Sequence, residues 1–100
     1  MKSNILELSN KTAIVTGGSS GYGLGIAKKL KEAGANVWIT GRNENKLKKV
    51  ADEVEVNYHV ADVTNPNDWD SLVNIVTEKN DSLDILVNNA GGGIQIMDIT

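Results

Sequence analysis

The chain has 100 residues, with 10 Lys plus Arg against 13 Asp plus Glu and a formal net charge of −3. That balance lacks the basic surplus that nucleic acids and anionic membranes attract, and the absence of Cys excludes disulfide frameworks, thiolate metal sites and cysteine nucleophiles. No apolar run approaches the roughly 20 residues that span a bilayer, and the N-terminal Met-Lys-Ser-Asn-Ile-Leu-Glu-Leu has no signal-peptide core, so the expected compartment is the cytoplasm.

Strand-like and helix-like patterns alternate along the chain. Lys11–Thr16 is a short apolar, β-branched run stopping at Gly17, which predicts a buried strand. Over Gly23–Ala33, Leu24, Ala27, Leu30 and Ala33 recur at helical spacing, and Gly34 is placed to end the helix. Val37–Thr40 predicts a second strand. Asn43 is placed to cap a helix running to Asp52, with Leu47, Val50 and Ala51 inward. Val56–Val60 is the third strand. Thr64 or Asn65 caps the next helix, with Pro66 in its first turn, where a missing N–H costs nothing. Trp69, Leu72, Val73 and Val76 form its apolar stripe, and Leu83–Asn88 is the fourth strand. The order β-α-β-α-β-α-β predicts an α/β fold: the first half of a Rossmann-type doubly wound parallel sheet, with strand order 3-2-1-4. Ligands of such sheets bind beyond the C-terminal strand ends, near the switch between the first and fourth strands.

Eight of the ten Gly fall in two windows, 17–25 and 91–93, and these windows follow those two strands. A helix N-terminus offers free N–H groups to a phosphate, and Gly removes the Cβ that would keep it away. Ser19 and Ser20 add hydroxyls, while Gly25, inside the helix, is expected to permit close packing on the sheet. No Gly-Lys-Ser/Thr follows, so this is not an ATP P-loop. A methyltransferase-like use of the fold would want an acid ending the second strand, where Gly41 stands.

Three motifs occur in register: Thr16-Gly17-x-x-x-Gly21-x-Gly23, Asp62-Val63 after the third strand, and Asn88-Asn89-Ala90-Gly91 after the fourth. On these, almost the whole chain resembles the short-chain dehydrogenases/reductases. The Gly spacing fits their ordinary dehydrogenase branch; the extended, epimerase-like branch would need Gly where Ser20 stands. The resemblance implies that Gly17, Gly21 and Gly23 form the pyrophosphate turn, with Ser19 and the Tyr22 backbone nearby. It implies that Asp62 meets the adenine amino group and the Val63 backbone a ring nitrogen, and that Asn89, Ala90 and Gly91 border the ribose and nicotinamide side. The family uses NAD(P) to move hydride to or from a carbonyl or alcohol carbon of a small-molecule substrate, and a full-length form is expected to be a homo-oligomer.

The end of the second strand bears on the choice of cofactor. A carboxylate there would hold the ribose 2′-OH of NAD and repel a 2′-phosphate. This chain reads Ile39-Thr40-Gly41-Arg42-Asn43, with no acid and a guanidinium following, so NADP is expected, with NAD the alternative. Glu44 is placed either to neutralise Arg42 or to hold the ribose.

In the resembling family, catalysis takes a Tyr with a Lys four residues later, aided by a Ser. Here Ile26 follows Tyr22 at that distance and Asp62 follows Tyr58, so no catalytic residue is assigned and the chain alone is expected to be inactive. Residues 1–100 are therefore expected to be the N-terminal part of an NAD(P)-binding Rossmann domain in a longer polypeptide. The alternatives are a non-catalytic nucleotide-binding half-domain and an inactive truncated product. The fourth strand is expected to be a bare edge, and Thr100 to cap a further helix. His59, Trp38 and Trp69 read as structural, Asp68, Asp70 and Glu78 as a solvated helix face, and no metal constellation is visible.

Overall fold

The computed structural model describes residues 8–19, 21–80, 82–89 and 95–98. Ser20, Ala90, Gly91 and Thr100, each given a role above, lie outside the described residues. The elements are β1 (Thr12–Thr16), α1 (Gly21–Glu32), β2 (Asn36–Gly41), α2 (Glu44–Val54), β3 (Asn57–Val60), α3 (Pro66–Asn80), β4 (Ile85–Asn88) and β5 (Gln95–Asp98). The sheet order is β3-β2-β1-β4-β5. The first four strands are parallel in the expected 3-2-1-4 order, with Thr16 level with Thr40 and Val15 with Val87. The registers bring the C-terminal ends of β1, β2 and β4 to one rim.

Alternation along the strands sorts the core onto two faces. Val15, Val37, Ile39 and Val87 pack with Ala27 of α1 and with Leu47, Val50 and Ala51 of α2. Ile14 and Trp38 pack on the other face with Leu72 and Val76 of α3. Ile14, Ile39, Leu47 and Leu72 are completely buried, each worth about 1.5–3 kcal/mol relative to exposure. Trp38 is core as expected, and its indole Nε1–H donates to Asn80 Oδ1 at 2.7 Å. The α3 stripe differs from expectation by one member: Ile75, rather than Val73, joins Trp69, Leu72 and Val76 in that cluster.

The caps are local chemistry. Asn43 Oδ1 accepts from Lys46 N–H at 3.1 Å and opens α2. Of the two candidates before α3, Asn65 is the cap, its Oδ1 accepting from the N–H groups of Asn67 (2.9 Å) and Asp68 (3.4 Å). Gly34 follows α1 with φ +99, a conformation that favours Gly.

Two expectations are corrected. β4 is not a bare edge, because β5 doubles back antiparallel along it, pairing Asn88 with Gln95 and Ile85 with Asp98. An unpaired row of N–H and C=O groups favours such a partner, and an antiparallel edge on a parallel sheet is a common arrangement. Gly25 does not pack against the sheet: it is exposed, and a Cβ there would meet nothing within 4 Å. Gly25→Ala is therefore expected to stabilise the fold by about 0.5–1 kcal/mol through helix propensity alone. The denaturation midpoint measures this, and a fall would restore the packing role. Among the described residues no helix is long and apolar enough to cross a membrane.

Candidate functional site: a cleft at the strand ends

The strand ends enclose a cleft of about 550 Å³. Thr16 lines it from the end of β1 with Gly17 just beyond, Thr40 and Gly41 from β2 with Arg42 just beyond, Ala61, Asp62, Val63 and Thr64 from the segment after β3, and Asn88 from β4. Of the residues singled out in the sequence, Gly17, Arg42, Asp62 and Val63 thus meet on one cavity.

The β1 side is braced by the segment after β4. Thr16 Oγ1 accepts from Asn89 N–H at 2.9 Å. The same hydroxyl lies within donating distance of Val87 O (3.4 Å) and Asn88 Oδ1 (3.3 Å). Asn89 Nδ2 donates to Gly17 O at 3.3 Å, and Gly17 N–H donates to Thr40 O at 2.9 Å. Gly23, in the first turn of α1, closes the arrangement. A Cβ there would sit 2.2 Å from Gly17 O and 2.6 Å from Asn89 Nδ2. Gly23 and Asn89 therefore shape the glycine-rich connection from behind.

Gly21 opens α1 at φ +60 with no atom within 4 Å of a Cβ position, leaving its outer side clear. Gly18, which the motif leaves unassigned, passes over Ile39 so closely that a Cβ would come 2.5 Å from Ile39 Cγ2. Ser19 is half-buried in the turn between β1 and α1. The Tyr22 side chain is 79% exposed and borders a separate groove with Gly25, Ile26 and Lys29.

The opposite side carries charge. Arg42 is exposed just past β2, and no described carboxylate, Glu44 included, forms an ion pair with it. Asp62 Oδ1 accepts from the Thr64 hydroxyl at 2.6 Å and from Thr64 N–H at 3.0 Å. The hydroxyl bond, then the amide bond, hold the Asp62 carboxyl below its ordinary value; slight desolvation opposes them, and the nearby Arg42 charge adds to the lowering.

Sequence reasoning missed several members of this site. Asp68, read as a solvated helix face, is half-buried and accepts from Asp62 N–H at 2.9 Å, so that reading is corrected. Thr64, read only as a candidate cap, turns back onto Asp62; Asp-x-Thr spacing is the signal of such a turn. Thr40, in the cleft lining, is fully buried, and its hydroxyl has no partner among the described residues.

These residues fit a dinucleotide. The volume lies within the roughly 300–1,000 Å³ of small-molecule sites. The cleft joins a cation and an acceptor-only carboxylate to Gly17, the first residue of the glycine-rich connection that leads to the α1 N-terminus.

The short chain dehydrogenase family profile matches residues 11–99. An uncharacterized oxidoreductase of Staphylococcus saprophyticus is 41% identical over 93 residues, which cover 87% of this chain and 40% of that protein. One from Staphylococcus aureus is 42% identical over 87 residues, covering 84% and 38%. Among solved structures, a hydroxysteroid dehydrogenase from Escherichia coli superposes with a TM-score of 0.83 at 34% identity, covering 92% of this chain and 40% of that one. A variant of actinorhodin polyketide ketoreductase, solved with NADPH, gives a TM-score of 0.78 at 36% identity, covering 82% and 33%. The chain spans about 40% of the length of the curated relatives it matches. With the profile matched across nearly all of its residues, on a 3-2-1-4 parallel sheet, the chain belongs to the short-chain dehydrogenase family of oxidoreductases.

Proposed function

We propose that the cleft binds NADP and serves hydride transfer between the cofactor and a carbonyl or alcohol substrate. The observation that carries the choice of NADP is Arg42: a guanidinium at the cleft rim, not ion-paired with any described carboxylate, beside a strand that ends in Gly41 instead of an acid. In this reading Arg42 holds the 2′-phosphate by charge-assisted, bidentate hydrogen bonds. Asp62 accepts from the adenine amino group, and the backbone of the Gly17–Gly23 connection receives the pyrophosphate at the α1 N-terminus. Asn89, which braces Gly17 through its side-chain amide, borders the ribose and nicotinamide side in this reading.

When bound, the nicotinamide ring supplies or accepts the hydride. Reduction of a carbonyl leaves an alkoxide that needs a proton. Neither Tyr22 nor Tyr58 has a Lys four residues on, and neither lines the cleft. The 100 residues are thus a binding unit to which no proton donor is assigned.

Calorimetric titration of the 100-residue chain with NADPH and NADH tests this reading. NADPH is expected to bind about tenfold or more tightly than NADH, a difference of about 1.4 kcal/mol, with no carbonyl reduction above background. Equal affinities would overturn the NADP preference. Binding of neither would overturn the dinucleotide reading, and turnover would overturn the assignment as a binding unit.

A further inference from the structure

Asp62 is held at both ends. Its N–H donates to Asp68 Oδ2 at 2.9 Å, and its carbonyl accepts from Asn65 N–H at 2.9 Å. At the other end, Oδ1 takes both bonds from Thr64, hydroxyl and amide. No described residue bonds Oδ2, and Asp62 lines the cleft. An Asp carboxylate on an exposed turn rotates broadly about its last torsion. Fixing Oδ1 removes that freedom and leaves Oδ2 as the available acceptor. A carboxylate can only accept, so an amino group placed there is favoured and a carbonyl oxygen is repelled.

We infer that Thr64 is a positioning residue which, by pinning Oδ1 of Asp62, makes the cleft discriminate a 6-amino purine from a 6-oxo purine in the bound dinucleotide. This rests on the dinucleotide reading above. Thr64 is exposed, so replacing it removes no core packing.

The experiment titrates the wild type, Thr64→Val, Thr64→Ser, Asp62→Asn and the Val/Asn double variant with NADPH and with its hypoxanthine analogue. The wild type is expected to prefer the adenine form by about tenfold or more. Thr64→Ser should keep that ratio, because it keeps the hydroxyl, while Thr64→Val should bring it to about two- to threefold. Adding Thr64→Val to Asp62→Asn should change nothing further, since the effect passes through Asp62. Thr64→Ala provides a second hydroxyl-free variant should the valine disturb folding. An unchanged ratio in the hydroxyl-free variants overturns the inference, as does an equal loss of affinity for both forms, the mark of a merely structural residue. If the wild type binds neither NADPH nor NADH, the dinucleotide reading itself has failed, and the wild-type titration alone shows it.

Discussion

Replacing Gly23 with Ala is expected to abolish dinucleotide binding and to destabilise the fold by about 1–3 kcal/mol, the usual cost of overpacking. The added methyl would lie 2.2 Å from the Gly17 carbonyl oxygen and 2.9 Å from its carbon. These are backbone atoms, fixed by the Asn89 Nδ2 bond to that oxygen and by the Gly17 N–H bond to Thr40 O. Relief requires either moving α1 or breaking the Asn89 bond, and both redirect the connection that would receive the pyrophosphate. Denaturant unfolding and NADPH titration measure the two effects separately. Gly25→Ala, two residues along the same helix and free of contacts, is the matched control and should bind normally. A Gly23→Ala protein with wild-type NADPH affinity would show that the loop geometry is not what binding needs.

Arg42→Ala carries the second large effect. Loss of a charge-assisted pair with a phosphate, worth about 1.5–3 kcal/mol, should weaken NADPH binding about 10- to 150-fold while leaving NADH nearly untouched. The ratio of the two affinities is the informative quantity, because Arg42 also contributes to the field at Asp62 and its removal can shift both. Equal weakening of the two cofactors would place Arg42 on the shared adenosine and not on the 2′-phosphate. Glu44 does not complicate the result, since it begins α2 without pairing with Arg42.

The parallel half-fold was readable because each element carries its own punctuation. Gly17 ends β1, Asn43 caps α2, and Pro66 opens α3, so pattern and local chemistry agree there. β5 was not readable for a physical reason: Gln95-Ile96-Met97-Asp98 has no clean two-residue alternation, and what recruits it is the edge of β4, a feature of the assembled sheet. Gly25 shows the converse error. Glycine in a helix signals close packing only if something lies nearby, and distance in space is invisible in the chain. At the cleft, Gly17, Arg42, Asp62 and Val63 were legible as motif members. Thr40, Thr64 and Asp68 were not, because a hydroxyl's or carboxylate's partner depends on which way its turn closes.

The burial of β1 has a consequence for how the cleft breathes. All five β1 residues are buried and flanked by β2 and β4, so the amides at the root of the glycine-rich connection can exchange with solvent only when the sheet itself opens. The far wall is a short turn held by hydrogen bonds among Asp62, Thr64 and Asn65, the two from Thr64 exposed, and tied to α3 by Asp62 N–H donating to Asp68 Oδ2. The two walls of one cavity thus belong to opposite ends of the protein's range of local stability. Ligand-linked protection from hydrogen exchange is expected at the exposed Thr64 and Asn65 of that turn, and not at Thr16 and Gly17, whose protection the sheet already supplies.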